Sequence, residues 1–384
     1  MLRNTIIIFF FTLMLPYISC TLIKQTTSQH YLSDSNHLKF LDEYTVPFNA
    51  NFNNTTVGGL SGIDYNPANK EYYLISDDRS EKNPARFYVA RIVLGENKID
   101  SVVFTNVKFL KDSTGKNYPN SHTDPYHTPD PEALRYDAKN NTYVWSSEGE
   151  RIVRPGKIVL EDPAVTEITP EGKYIDTFEL PSQLHMHVNE SGPRQNSVFE
   201  GVTFDDDYKN LFVSVEEPLY NDGPRAGIND STGINRIIKF DMATKKPIAQ
   251  YAYITDAVAH AAVPSGAFKI NGIPDILYLG KNKLLVIERS FSTGRMACTI
   301  KVYITDLSTA ENINGVPSLK SKAELHTAPK KLLLNMDDIG IYIDNIEGVT
   351  FGPKLADGKQ SLIFISDNNF NPLQKTQFLL FEIE

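Results

Sequence analysis

The feature that most constrains this chain is a degenerate repeat of near-constant period. In each copy a short strand opens with a small or acidic pair. A turn follows, and then a second apolar strand that ends in acidic or polar residues. The copies read Ser61-Gly-Ile-Asp-Tyr65 with Tyr72-Tyr-Leu-Ile-Ser-Asp-Asp78, Pro131-Glu-Ala-Leu-Arg-Tyr136 with Tyr143-Val-Trp-Ser-Ser-Glu148, and Phe199-Glu-Gly-Val-Thr-Phe204 with Leu211-Phe-Val-Ser-Val-Glu-Glu217. Two more follow, Pro274-Asp-Ile-Leu-Tyr278 with Leu284-Leu-Val-Ile-Glu-Arg289, and Ile346-Glu-Gly-Val-Thr-Phe351 with Leu362-Ile-Phe-Ile-Ser-Asp367. With Gly62, Glu132, Glu200, Asp275 and Glu347 as markers, the copies step by 70, 68, 75 and 72 residues. A near-constant period built from strand-rich units implies propeller blades.

Each repeat has room for two further strands. Ala164–Ile168 and Tyr174–Phe178 follow the second copy, and Arg236–Asp241 and Ile248–Ile254 follow the third. Apolar residues alternate with period two, and Gly, Pro, Asn and Asp gather between the runs. The 19 Tyr and 21 Phe suit strands better than helices. The expected fold is therefore all-β: a single β-propeller of four-stranded blades, five by the repeat count. Six is the alternative if an irregular blade lies between Ile304 and Asn345. The last repeat lacks an outer strand, and His37–Val46 is placed to supply it, closing the ring and removing two sheet edges.

The first twenty residues stand outside this pattern. Arg3 gives a positive start, Thr5 to Leu15 is an apolar run broken by Pro16, and Ser19 is a small residue near a cleavage point. This is the build of a secretory signal, too short to span a bilayer comfortably. The expected division is 1–20 signal peptide and 21–384 propeller, and the protein is expected to be exported, secreted or periplasmic. Cys20 at the junction makes a lipid tether to a membrane an alternative to a free mature protein. The only other cysteine, Cys298, lies in an apparent strand and reads as a small core residue. A monomer is expected.

The net charge of -9 argues against nucleic acid as a partner, which requires a basic face. No nucleophile elbow, phosphate loop or His-Glu-x-x-His occurs. What remains is carboxylate chemistry. Glu132, Glu200, Asp275 and Glu347 share one repeat position, and the first strand of each blade lines the central channel, so these acids are expected to converge. Converging carboxylates repel and lose hydration, so some take up protons or a cation sits among them. A hard cation, Ca²⁺ first, suits oxygen ligands. Local pairing with arginine is the alternative. A second set, including Glu148 and Glu216, closes the second strands, with Arg79 and Arg289 nearby in sequence. His185 with His187, and His122 with His127, are weak metal signals.

Several stretches resemble one known family, the phytase-like propellers described as having esterase-like activity. They are Ser76-Asp-Asp-Arg79 with Ala85-Arg-Phe-Tyr88, Asp130-Pro-Glu-Ala133 with Ser146-Ser-Glu148, and Arg194-Gln-Asn196 with Phe199-Glu-Gly201. Val215-Glu-Glu-Pro-Leu219, Glu288-Arg-Ser290, and Asn345-Ile-Glu-Gly348 with Ser366-Asp-Asn-Asn-Phe370 complete the set, in order along nearly the whole mature chain. The resemblance implies a propeller, export and a hydrolase-like activity. An acidic chain without a lysine cluster argues against phytate itself.

Together these readings describe a Ca²⁺-dependent hydrolase acting on a small-molecule phosphoester or carboxylic ester at the channel mouth. Glu132, Glu200, Asp275 and Glu347 would be metal ligands, Glu148 or Glu216 the base, and Arg79 and Arg289 the groups that steady a developing anion. The rival reading is a non-catalytic binding propeller with structural calcium.

Overall fold

The computed structural model describes residue 32 and residues 37–384, apart from 230, 231 and 321. The signal segment and Cys20 therefore lie outside the described residues. Five small antiparallel sheets form a ring. Blade one is built from Leu60–Asn66, Glu71–Ser76, Arg86–Leu94 and Ile99–Phe109. Blade two uses Pro131–Asp137, Thr142–Ser147, Ala164–Ile168 and Tyr174–Thr177. Blade three uses Phe199–Phe204, Asn210–Val215, Gly233–Asp241 and Lys246–Thr255.

Blade four is irregular. Its inner position is shared by Lys269–Gly272 and Ile276–Gly280, both paired with Lys283–Ser292, and Thr299–Asp306 and Lys330–Asn335 lie outside them. The stretch in which a sixth blade was the alternative thus supplies this outer strand, and the ring has five blades. Blade five consists of Asn345–Lys354, Gln360–Asp367 and Thr376–Ile383, completed by Leu38–Val46 from the other end of the chain. That closing strand runs antiparallel to Thr376–Ile383, from Leu38 opposite Ile383 to Val46 opposite Thr376.

The sequence forms a ring because its second strands are apolar on both faces. In Glu71–Ser76, Tyr72 and Leu74 pack toward blade five, while Tyr73 and Ile75 pack toward blade two. In Gln360–Asp367, Leu362 and Phe364 face blade four, and Ile363 and Ile365 face blade one. Every gap between neighbouring blades holds one such buried cluster, so each sheet is the filling between two others and none has a solvent face to spare.

The inner strands carry a shared irregularity. Their pairing shifts between Leu60 and Gly62, Pro131 and Leu134, Phe199 and Val202, and Ile346 and Gly348. Glu132, Glu200 and Glu347 each stand within this bulge, and a bulge re-aims the side chain it carries. In this register the blade-one equivalent is Ser61, one residue before the expected Gly62. The residue after the bulge is small where inner strands approach closely: a Cβ on Gly201 would lie 2.5 Å from the Asp275 Cα.

Candidate metal and catalytic centre at the channel mouth

The inner strands of neighbouring blades touch around the axis. Their bulges bring Glu132 and Glu200 together with Glu148, which stands just past the second strand of blade two. One carboxylate oxygen from each lies within 4.8 Å of the others. A second group with the same spacing joins Asp77, Asp130 and Glu132, so Glu132 belongs to both. These two groups have the donor set and spacing to hold a metal ion.

Glu148 is 1% exposed. Its Oε1 accepts the Val198 N–H, and its Oε2 has no hydrogen-bond partner among the described residues. Asp367, fully buried at the end of the second strand of blade five, likewise has an unpartnered Oδ2. A buried carboxylate oxygen without a donor is costly, and such atoms mark places where a cation or proton belongs.

The electrostatics follow from burial. Loss of hydration, reinforced by neighbouring carboxylates, pushes Asp77, Glu132, Glu148, Glu200 and Asp367 well above the usual carboxylate range. Glu216 is pushed up to about 7 by burial, with Arg289 pulling the other way. Burial also raises Asp130 and Glu347, opposed by Arg79 and Arg289 respectively.

Arg289 is the cation built into this acidic ring. Its Nη2 donates to Glu216 Oε1 at 2.7 Å, and its Nη1 lies 3.1 Å from Glu347 Oε1. Asn345 Nδ2 also donates to that Glu347 oxygen at 2.8 Å. Glu347 is therefore held by Arg289 and Asn345 and stands outside both close groups. Arg79 is further out: its Nη1 donates to Glu150 and lies 3.7 Å from Asp130 Oδ2.

Asp275 does not join the others. Its carboxylate turns onto Arg135, whose Nη2 lies 2.8 Å from Oδ2, and it accepts the N–H groups of Ile276 and Val349. The inner strand of blade four is broken before Ile276, so its marker residue is not aimed by the bulge that serves the other blades. Glu288 turns outward to Lys330, Tyr253 and Asn271. Of the histidines, His185 pairs with Asp162 and His127 with Asp124, both on the exposed surface. Cys298 is buried, and burial pushes its thiol up to about 12, which suits a core residue.

Asp77 and Asp130 are candidate ligands that repeat reasoning did not assign. They lie in loops entering and leaving the strands, and only the short Asp-Asp and Asp-Pro-Glu signatures flag them. The hairpin Glu150–Arg154 with Lys157–Glu161, which brings Glu150 to Arg79, had no sequence signal.

Five antiparallel blades around a channel, with carboxylates gathered at one end, define a five-bladed β-propeller. The profile of the Phytase-like family, described as "Esterase-like activity of phytase", matches residues 55–370, and the chain belongs to this family. No curated protein matches the sequence significantly. Among solved structures the chain is similar to an α-L-arabinofuranosidase from Lactobacillus brevis, with 9% identity over 85% of this chain and 91% of that one, at a TM-score of 0.44. An endo-arabinase from Bacteroides thetaiotaomicron has 11% identity over 88% and 96%, at 0.41. A gluconolactonase from Xanthomonas campestris has 11% identity over 85% and 86%, at 0.35.

Proposed function

We propose that this protein is an exported, Ca²⁺-dependent hydrolase that cleaves a phosphoester or carboxylic ester of a small molecule at the channel mouth. The observation that carries the reading is the unpartnered, buried Glu148 Oε2 in a group whose other oxygens come from Glu132 and Glu200. All ligands there are carboxylate oxygens, without thiolate or imidazole, which fits Ca²⁺ better than Zn²⁺. Glu132, Glu148 and Glu200 would hold the ion, with Asp77 and Asp130 on the far side of Glu132. When bound, such an ion polarises an ester oxygen and lowers the pKa of water beside it.

The remaining residues supply proton and charge handling. Glu216, raised to about 7, can take a proton from an attacking water near neutral pH and return it to the leaving group. Arg289 fixes Glu216 by its Nη2, so the carboxylate is oriented before substrate arrives. The Arg289 guanidinium, held between Glu216 and Glu347, supplies the positive charge that would steady a developing oxyanion. Arg79, tied to Glu150 by its Nη1, keeps a buried Nε and Nη2 that have no partner among the described residues.

Turnover of p-nitrophenyl acetate and p-nitrophenyl phosphate, with chelator and after Ca²⁺ is restored, tests the reading. Activity that disappears with chelator and returns with Ca²⁺ supports it. Protein that binds Ca²⁺ tightly and turns over neither ester is a binding propeller with structural calcium.

A further inference from the structure

Beside the carboxylates lies a cleft of about 520 Å³ whose character is opposite. In a chain of net charge -9 it is lined by three arginines, Arg151, Arg194 and Arg225, together with Ser197, Tyr220 and Phe268. Arg151 Nε and Nη2 donate to the carbonyls of His187, Val188 and Asn189. Arg194 Nε and Nη2 donate to those of Pro218 and Gly223. Both guanidinium groups lie against the Tyr220 ring, 5.1 and 4.2 Å from its centroid.

Carbonyls satisfy donors and leave the charge uncompensated. Neither Arg151 nor Arg194 forms an ion pair among the described residues, whereas Arg225 Nε pairs with Glu217 at 3.0 Å. Among the described residues Glu190 is the one acid lining the cleft. Burial, and then Arg225, lower the Arg194 pKa, with Tyr220, Glu217 and Glu190 opposing. Planar guanidinium groups with one side already fixed present their free donors in a set geometry, which suits an oxyanion.

The cleft shares a wall with the carboxylate centre. Gln195 reaches from it to Glu150, the partner of Arg79. Ser197, on its floor, precedes Val198, whose N–H holds Glu148. We propose that this cleft binds a phosphate or carboxylate group carried by the substrate, so that the adjoining centre acts on anionic esters. The substrate half of this statement rests on the hydrolase reading; the anion cleft does not.

Calorimetric titration of the full mature protein with inorganic phosphate and, separately, with succinate tests it and tells the two oxyanions apart. At least one should bind, and Arg194→Gln should weaken that binding tenfold or more. Arg194 anchors two loop carbonyls and Arg151 three, so Arg151→Gln, on a different element, is a second variant with the same expected loss, and the melting temperature of each variant is measured so that lost binding counts only in protein that stays folded. Glu148→Gln should change the affinity less than twofold. The cleft is overturned if neither anion binds wild type, if binding survives both arginine substitutions, or if only Glu148→Gln abolishes it, because the anion then rides on a cation among the carboxylates. Anion binding that follows the arginines in a protein that hydrolyses no ester upholds the cleft and removes only the hydrolase reading.

Discussion

Arg135 of blade two reaches Asp275 of blade four across the channel axis, with Nη2 3.0 and 2.8 Å from the two carboxylate oxygens. The same guanidinium donates to the carbonyls of Ile63, Val202, Ile276 and Val349, one on the inner strand of each of the other four blades. One side chain therefore touches every other blade, and Asp275 supplies its counter-charge where water is excluded. Burial pushes Asp275 up to about 6 even so, with Arg135 opposing the rise.

This pair should behave as a unit. Breaking a buried pair leaves one charge uncompensated, at about 3–5 kcal/mol. Arg135→Met and Asp275→Asn should each cost that much in denaturant unfolding, and the double variant well under the sum. Strictly additive losses would show that the two groups do not interact.

The carboxylate centre gives the metal-free protein a predicted pH dependence. For Glu216 the ordinary pKa is 4.5 and the folded one about 7. Below the lower value both folded and unfolded chains hold the proton. Between the two values only the folded chain holds it, so stability falls as pH rises, by on the order of 3 kcal/mol for this group. In chelator, the melting temperature should be lower at pH 8 than at pH 5. Saturating Ca²⁺ should flatten or invert that slope, and a chelated protein equally stable at both pH values would contradict the prediction.

Glu200→Gln separates repulsion from ligation. Carboxylates about 4 Å apart repel by roughly 1–4 kcal/mol per pair. The variant should therefore be at least as stable as wild type in chelator and gain less from added Ca²⁺. Loss of stability in chelator, with an unchanged Ca²⁺ increment, would make Glu200 a structural residue instead.

Removing 37–46 should expose the outer edge of blade five. Without Leu38–Val46 the backbone groups of Thr376–Ile383 lose their partners, and several kcal/mol of stability or solubility should go with them. A soluble deletion variant with an unchanged melting temperature would falsify this account of closure.

Export is tested by the mass of the mature protein, which should lack roughly the first twenty residues. Intact Met1 in the exported fraction would end that reading.

The fold was legible because repeat, alternation and turn chemistry agree along the chain. The site was legible in part. Glu132, Glu200 and Glu347 share a position, and the period alone brings them to one end of the channel. Asp275 shares it too, yet the break in blade four and the pull of Arg135, far away in sequence, turn its side chain elsewhere. The bulges explain the displacement at blade one, because an extra residue in a strand leaves no trace in an apolar pattern and Ser61-Gly62 is small at both positions. The arginine cleft draws on segments of blades two and three and on the connection leading into blade four, whose approach no local pattern encodes.

The strand Leu38–Val46 is made about 330 residues before its partner Thr376–Ile383. At roughly 5–20 residues per second, synthesis holds the two apart for on the order of tens of seconds. Through that interval blade five cannot form and the gap to blade one stays open. The strand that seals the finished ring is thus made long before the edge it seals, and cannot pair until Thr376–Ile383 has followed it.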